Sequence, residues 1–185
     1  MKRRMQTIRL SLVLAAVLAA SARAEPAAHS STSVLRADFL KMLDTAEKKV
    51  VGLAEATPQE KYSFRPGEGV RSTGEVFVHI GGANFFLPKF IGIKPPDGLS
   101  NDPEKTITEK AKVIEFVKAG FSHIRKGVEQ LPEAEYTKPV KFFGNDSTVQ
   151  GVLFRMANHL HEHLGQAIAY ARMSGITPPW SKGKE

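Results

Sequence analysis

The stretch Asn158-His159-Leu160-His161-Glu162-His163-Leu164-Gly165-Gln166, residues 158–166, holds three of the six histidines of the chain within five positions. It lies inside a segment whose apolar residues recur every three to four positions, which predicts a long amphipathic helix. His159 and His163 are four residues apart, so they project from one face about a turn apart. His161 points away from both, toward solvent or a neighbouring helix. Two imidazoles at the spacing of His159 and His163 can bind one metal ion.

The same segment carries an apolar stripe that predicts its buried side. On a helical wheel at 100° per residue, His163 falls within the edge of this stripe and His159 lies on its flank. Polar residues around His159 form a seam along the helix, and buried polar residues need partners. A metal ion with bound water is one partner that would explain the seam. The stripe consists of Val149, Val152, Leu153, Met156, Leu160, Leu164, Ala167 and Ala171.

Three further segments upstream have helical periodicity, and strand-like alternation is nearly absent. The four predicted helices span residues 34–56, from Ser72 or Thr73 to near Pro88 or Phe90, residues 104–131, and from Ser147 or Thr148 to Ser174. Ser33 is the expected N-cap of the first helix and Gly175 the expected C-cap of the last. A short extended piece is expected around residues 140–143. Four long helices with short or moderate links predict an all-α, antiparallel four-helix bundle over residues 34–180.

One feature of the second predicted helix is unusual. Gly81 and Gly82 lie in its interior, where each glycine costs about 1 kcal/mol relative to alanine. Close approach of a neighbouring helix or of a ligand would explain the pair, and a simple kink is an equal alternative.

The N-terminal residues have the features of a cleaved signal peptide. Basic residues precede an apolar run, residues 10–20, which is too short to span a membrane comfortably. Ala22-Arg23-Ala24 then fits the small-x-small rule for cleavage. We therefore expect residues 1–24 to be removed, residues 25–33 to be a flexible lead-in and residues 181–185 to be a tail. The expected location is the periplasm or the cell exterior, and an uncleaved N-terminal anchor is the alternative.

Charge and composition exclude several classes of partner and site. The formal net charge is +7, but the leader holds five of the 26 Lys and Arg residues and no acid, so the other 161 residues carry 21 basic and 19 acidic side chains. This near balance gives no support for a nucleic-acid partner, and no second segment approaches membrane-spanning length. The absence of cysteine excludes disulfides, thiolate nucleophiles and iron–sulfur clusters. The His-Glu-x-x-His motif of zincin proteases is also absent.

A third metal ligand is expected from another helix, because two imidazoles leave a metal ion under-coordinated. His79 is the best candidate, since it lies midway along the most apolar predicted helix, between Val78 and Ile80. Taken alone, a histidine there is more often a hydrogen-bonded core residue; beside the pair in the last helix, the ligand interpretation is preferred. His123 is interpreted as a surface residue, and His29 in the lead-in is set aside.

These residues resemble the DinB-like (damage-inducible) superfamily of four-helix metal-binding proteins. The resemblance rests on His79 within residues 75–80, on His159-x-x-x-His163-x-Gly165-Gln166, and on the ending Tyr-Ala-Arg-Met-Ser-Gly-Ile-Thr-Pro-Pro over residues 170–179. Residues 60–72 also resemble the loop before the second helix in exported members. The resemblance implies a divalent metal ion, zinc or nickel, bound by the three histidines His79, His159 and His163.

The first functional hypothesis is a metal-dependent hydrolase or transferase that acts on a small molecule, and the resemblance implies that a transferase or isomerase would be thiol-dependent. Glu75 and Glu162 are the candidate catalytic carboxylates, although Glu75 is equally explained by the helix dipole at a helix N-terminus. Glu162 and Gln166 are candidate partners of the metal ligands, and Gln166 is the candidate cofactor-binding residue. The alternative function is a non-catalytic module that binds a metal or small molecule, or that forms a homodimer. A metal-free bundle whose histidines merely pack is a third interpretation.

Overall fold

The computed structural model describes residues 31–181 and Gly183, so the expected signal peptide lies outside the described residues. The described chain is mostly helical, with one two-stranded hairpin and several short 3₁₀ turns, and the predicted all-α class holds for it. The helices are α1 (Ser31–Ala56), α2 (Thr73–Phe86), α3 (Pro103–Thr106), α4 (Lys110–Gln130) and α5 (Val149–Met173), and the strands are β1 (Pro139–Phe142) and β2 (Asn145–Thr148).

The four longer helices share one hydrophobic core. α1 and α2 each pack against both α4 and α5. Every residue of the apolar stripe predicted for the last helix is buried. In the described part of the chain, no helix combines the length and apolar character needed to cross a membrane.

The helix ends follow local capping rules, with one error in the prediction. Ser72 caps α2: its hydroxyl accepts a hydrogen bond from the Glu75 N–H at 3.2 Å, and the Glu75 carboxylate accepts one from the Ser72 N–H at 2.8 Å. This reciprocal pair confirms the predicted start of α2. Gly175 follows α5 in the left-handed conformation (φ 79°), as a helix-terminating glycine should. The expected cap at Ser33 is wrong, because α1 already begins at Ser31.

The predicted third helix, residues 104–131, is wrong as a single element. The structure divides it into α3 and α4, and Ile107 between them is extended (φ −106°, ψ 94°). Thr106-Ile107-Thr108 is a run of three β-branched residues, whose restricted χ1 angles disfavour continuous helix. Because of the break, α3 packs against α2 instead of prolonging α4.

The extended piece expected around residues 140–143 is one strand of a hairpin whose second strand the sequence did not predict. β1 pairs antiparallel with β2, and Phe142 lies opposite Asn145. β2 reads Asn-Asp-Ser-Thr and lacks the apolar alternation that marks a strand. The turn residues Phe143 and Gly144 both have positive φ, 48° and 83°, which is the two-residue turn that Asn-Gly usually occupies.

Gly81 is explained by the close approach of α4. A Cβ atom on Gly120 of α4 would lie 2.6 Å from the Gly81 carbonyl oxygen, and a Cβ on Gly81 would lie 2.9 Å from the Phe116 ring. These separations are too short for any larger residue, so the two glycines set the distance between the helices. Gly82 has only one neighbour near its missing Cβ, at 3.9 Å, and needs no such explanation.

Candidate metal centre

The three imidazoles predicted as ligands converge where α2 packs against α5. His79 projects from α2, and His159 and His163 project from successive turns of α5. One ring nitrogen of each lies within 4.8 Å of the other two. The ring centroids are 5.1 Å apart for His79 and His159, 4.4 Å for His79 and His163, and 4.5 Å for the pair on α5. All three side chains are partly buried.

Glu104 orients the His79 ring. The His79 Nδ1 atom lies 2.8 Å from one Glu104 carboxylate oxygen, and the other oxygen accepts a hydrogen bond from Arg71 Nε at 2.7 Å. Because an ionised carboxylate only accepts hydrogen bonds, Nδ1 carries the proton and Nε2 keeps its lone pair. Nε2 faces the other imidazoles, 3.1 Å from the Nε2 atom of His159.

The sequence contains no direct signal that Glu104 lies beside His79. The two residues are 25 positions apart, and Glu104 was expected to begin a long regular helix. The β-branched run that ends α3 was the one local clue that this carboxylate belongs to a separate element.

Gln166 orients the His163 ring in a similar way. The His163 Nδ1 atom lies 2.8 Å from the Gln166 side-chain oxygen, and the Gln166 amide NH₂ donates to the Tyr170 hydroxyl at 2.9 Å. The amide oxygen therefore accepts the Nδ1 proton and leaves the Nε2 lone pair of His163 available. This contact is of the kind expected for Gln166 as a partner of a metal ligand.

The local electrostatics keep His79 and His159 neutral at pH 7. Burial lowers the pKa of His159 to about 4, and the neighbouring His163 and His79 add to this effect. Burial also lowers the pKa of His79, although the hydrogen bond to Glu104 opposes the shift. Burial alone would raise the pKa of Glu104, but hydrogen bonds from Arg71 and His79 outweigh it and hold that pKa below its ordinary value. His79 is therefore a neutral donor to a charged carboxylate at pH 7.

This donor set fits a divalent transition-metal ion. Nitrogens bound to one tetrahedral zinc ion at about 2.0–2.1 Å lie about 3.3 Å apart, close to the 3.1 Å between the Nε2 atoms of His79 and His159. Three imidazoles suit zinc, nickel, copper or iron, whereas calcium and magnesium prefer oxygen ligands. Among the described residues, this is the group of three side chains with ligand atoms close enough to share an ion.

The two candidate catalytic carboxylates have different surroundings. Glu162 is exposed and lines a cleft of about 960 Å³ that opens beside His79 and His159. Glu75 is not among the residues that line this cleft. Its carboxylate binds Arg65 as well as the Ser72 N–H, and the hydrogen bond from Arg65 is the main reason that its pKa lies below the ordinary value.

The remaining histidines of the two later helices lie apart from the centre. His161 is exposed, as predicted, and its Nδ1 donates to the Ala157 carbonyl at 3.0 Å. The interpretation of His123 as a surface residue is incomplete, because its side chain is half-buried. Its ring packs against Phe85 with centroids 5.3 Å apart, and its Nε2 atom is buried with no hydrogen-bond partner in the described chain.

The cleft beside the imidazoles has two unlike walls. Polar side chains of α5 form one wall, and aromatic side chains of α2 and of the β1–β2 hairpin form an aromatic wall. The polar wall contains Arg155, Asn158, His159 and Glu162, and the aromatic wall contains Phe85, Phe86, Phe142 and Phe143. A cleft of this size is typical of small-molecule sites.

Known families and structures resemble this chain over most of its length. The model of the DinB superfamily matches residues 42–167. A crystal structure of a DinB-like protein from Bacillus cereus aligns with a TM-score of 0.69 and 20% identity, covering 76% of this chain and 93% of that one. A DinB-like protein from Bacillus subtilis aligns with a TM-score of 0.62 and 23% identity over the same shares. A conserved protein from Enterococcus faecalis aligns with a TM-score of 0.57 and 14% identity, covering 79% and 98%. No curated protein gives a significant match.

Proposed function

This chain belongs to the DinB superfamily, and on that premise we propose that it binds a divalent metal ion through His79, His159 and His163. The observation that carries the proposal is the convergence of three ring nitrogens within 4.8 Å of one another. Two of the rings are also oriented through Nδ1, by Glu104 and by Gln166. Metal-binding histidines almost always have such a partner, because it fixes the tautomer and the direction of the lone pair.

Zinc or nickel is the proposed ion, because both suit imidazole ligands and can retain open positions. When bound, such an ion supplies Lewis acidity toward an oxygen or sulfur atom of a ligand. The residues of the chain supply the orientation: Arg71 holds Glu104, and Glu104 holds the His79 ring. The partial burial of the three rings keeps water from competing fully for their nitrogens.

For the reaction, we propose hydrolysis or group transfer on a small molecule that occupies the cleft. Glu162 supports this proposal, since it lines the cleft three residues after His159 and makes no ion pair with another described residue. Its carboxylate is the group best placed to accept or return a proton of the substrate. A protein that binds a metal ion and a small molecule without turnover is the alternative, because it would need the same histidines but not Glu162.

We further propose that the four longer helices form the antiparallel bundle expected from the sequence, and that the protein works outside the cytoplasm. The first point is supported by the packing of α1 and α2 against both α4 and α5. The second is supported by the basic, apolar and small-residue segments of residues 1–24. N-terminal sequencing of protein from the periplasm or medium tests it, and an intact N-terminus would contradict it.

Elemental analysis of the protein, purified without an affinity tag, tests the metal proposal. We expect one equivalent of zinc or nickel in the wild type. Most of this metal should be lost in each of the variants His79→Ala, His159→Ala and His163→Ala. Their loss of metal affinity should exceed the roughly 10–100-fold expected when only the hydrogen-bond partner of a ligand is removed. His161→Ala is the matched control and should retain the ion. Full metal content in all three ligand variants would contradict the proposal.

Turnover separates the enzyme from the binder. The metal-loaded protein is assayed with ester, amide, phosphate and epoxide substrates, with and without a small thiol. Activity that requires His159 and falls in Glu162→Gln, at unchanged metal content, supports the enzyme. Metal binding without turnover in any class supports the binder.

A further inference from the structure

We propose that the cleft beside the imidazoles binds a small organic acid with an aromatic body. Its carboxylate pairs with Arg155, and its ring lies against the exposed Phe143. The proposal names the substrate or ligand class for the metal site and therefore rests on the function proposed above. It depends on two independent features of the described residues, a free guanidinium and a strained aromatic residue.

Arg155 is the one lysine or arginine among the residues that line the cleft. It is exposed and has no ion pair with a described carboxylate. Its guanidinium carbon lies 5.5 Å from the centroid of the Phe142 ring. Packing on an aromatic face restricts the guanidinium while its N–H groups stay available for a planar, bidentate anion such as a carboxylate.

The position of Arg155 along α5 separates an anion-binding end of the cleft from the metal-binding end. Arg155 precedes His159 by four residues, a rise of about 6 Å along the helix axis. The carboxylates that line the cleft do not occupy the guanidinium. Glu104 is already paired with Arg71, and Glu162 follows Arg155 by seven residues, a rise of about 10 Å. Asp97 lies on the loop before α3 and makes no ion pair with Arg155.

The aromatic wall is more exposed than packing requires. Phe143 is 58% exposed, and Phe86 is 44% exposed with the Lys89 ammonium 3.4 Å from its ring centroid. The Phe143 ring contacts the rings of Phe86, Phe90 and Phe142, with centroid distances of 6.1, 4.7 and 4.8 Å, and still leaves more than half of its surface exposed. An exposed cluster of aromatic side chains beside a cavity is typical of a binding site.

The backbone of Phe143 is strained to hold this ring. Its φ of 48° is one that side chains rarely adopt, and Asn is preferred at that position of a two-residue turn. Such strain costs on the order of 1 kcal/mol or more and clusters at ligand-binding and active sites. If this position served only to close the hairpin, Asn would occupy it with less backbone strain. The aromatic ring is therefore the feature that the strain maintains.

The test uses isothermal titration of the full mature chain, with zinc and after metal removal, against two probes of equal shape. Phenylacetate carries the carboxylate and phenylacetamide does not. We expect phenylacetate to bind more tightly. Arg155→Gln should lower the affinity for phenylacetate by about 10-fold or more, which is the effect of losing a charge-assisted hydrogen bond. Phenylacetamide should be affected little. Arg172→Gln, an exposed arginine on the same helix, is the control and should change neither affinity.

Phe143→Asn tests the aromatic wall separately. Asn suits the turn, so the variant should fold and have a melting temperature equal to or above that of the wild type. Loss of the ring should lower the affinity for both probes by about 2–10-fold, which corresponds to the energy of one aromatic contact. A purely structural role for Phe143 predicts the reverse: lower stability with unchanged affinities.

The outcomes distinguish this proposal from the metal proposal. If the wild type binds no metal but binds phenylacetate in an Arg155-dependent way, the metal site fails and the ligand class stands. If zinc binds but phenylacetate does not, the ligand class is overturned and the metal site stands. The same conclusion follows if the affinity for phenylacetate depends on zinc and not on Arg155. Equal affinities for the two probes would also overturn it, because the carboxylate would then contribute nothing.

Discussion

The two sides of α2 pack by different rules. Toward α4, the helix presents Gly81, and the backbones approach so closely that a Cβ on Gly120 would lie 2.6 Å from a carbonyl oxygen. Toward α5, it presents His79, whose ring lies beside the imidazoles of His159 and His163 and is hydrogen-bonded to Glu104 of α3. His79 and Gly81 are two residues apart, so about 200° of helix rotation places them on opposite faces.

The α4 side of α2 contributes mainly to folding stability, whereas the α5 side contributes mainly to the proposed metal site. On the α4 side, close packing and the removal of apolar surface from water provide stability, and any added volume is harmful. On the α5 side, partly buried polar groups cost desolvation energy and stabilise little by themselves. Their mutual orientation is explained by a bound ion. Substitutions on the two sides should therefore affect different measurements.

The largest effect on stability is expected from Gly120→Val. The added atoms would meet the backbone of α2, which cannot move aside as a flexible side chain can. We expect the free energy of unfolding to fall by about 3 kcal/mol, the upper part of the range for overpacking, measured by urea denaturation. Gly165→Ala on α5 is the control, because nothing lies within 4 Å of its Cβ position. It should be neutral or stabilising by up to about 1 kcal/mol. If the two substitutions changed the free energy of unfolding equally, close packing would not distinguish the α4 side of α2.

Glu104→Gln tests the polar side. The substitution keeps the shape of the side chain but removes the charge that Arg71 and His79 share. We expect the zinc affinity to fall by about 10–100-fold, measured by competition with a chelator, with a smaller change in folding stability. Glu75→Gln is the matched control. Its carboxylate caps α2 and binds Arg65, so this variant should lose stability and keep its zinc affinity. If Glu75→Gln lost zinc affinity and Glu104→Gln lost only stability, Glu75 would be the carboxylate that supports the metal site.

His123 provides the smallest and sharpest test, because it is a histidine on the α4 side. Burial lowers its pKa in the folded protein below the ordinary value of 6.5. The unfolded chain therefore binds more protons as the pH falls below about 6.5, and the free energy of unfolding should decrease with it. His123→Leu should reduce this decrease between pH 7.5 and pH 5.5. The change should be smaller than either effect above, and metal content should not change. An identical pH dependence in both proteins would show that the partial burial of His123 does not lower its pKa.

The parts of the site that were predictable are those encoded within one helix. The spacing of His159 and His163, and the contact of His163 with Gln166, follow from residues three or four positions apart on a helical wheel. The position of His79 was inferred from its place in an apolar helix. Glu104 was not predicted, because its contact with His79 depends on the break at Ile107 and on the packing of α3 against α2.

The sequence by itself determined the helical periodicity, the buried stripe of α5, the start of α2 near Ser72 or Thr73 and the metal-ligand chemistry of the histidines. All of these arise from interactions within a few residues along the chain. Only the tertiary structure decided that Gly81 faces Gly120, that Glu104 lies beside His79, and that Phe143 lines the cleft. These depend on how helices rotate and approach one another, which results from the packing of the whole core and not from any local pattern.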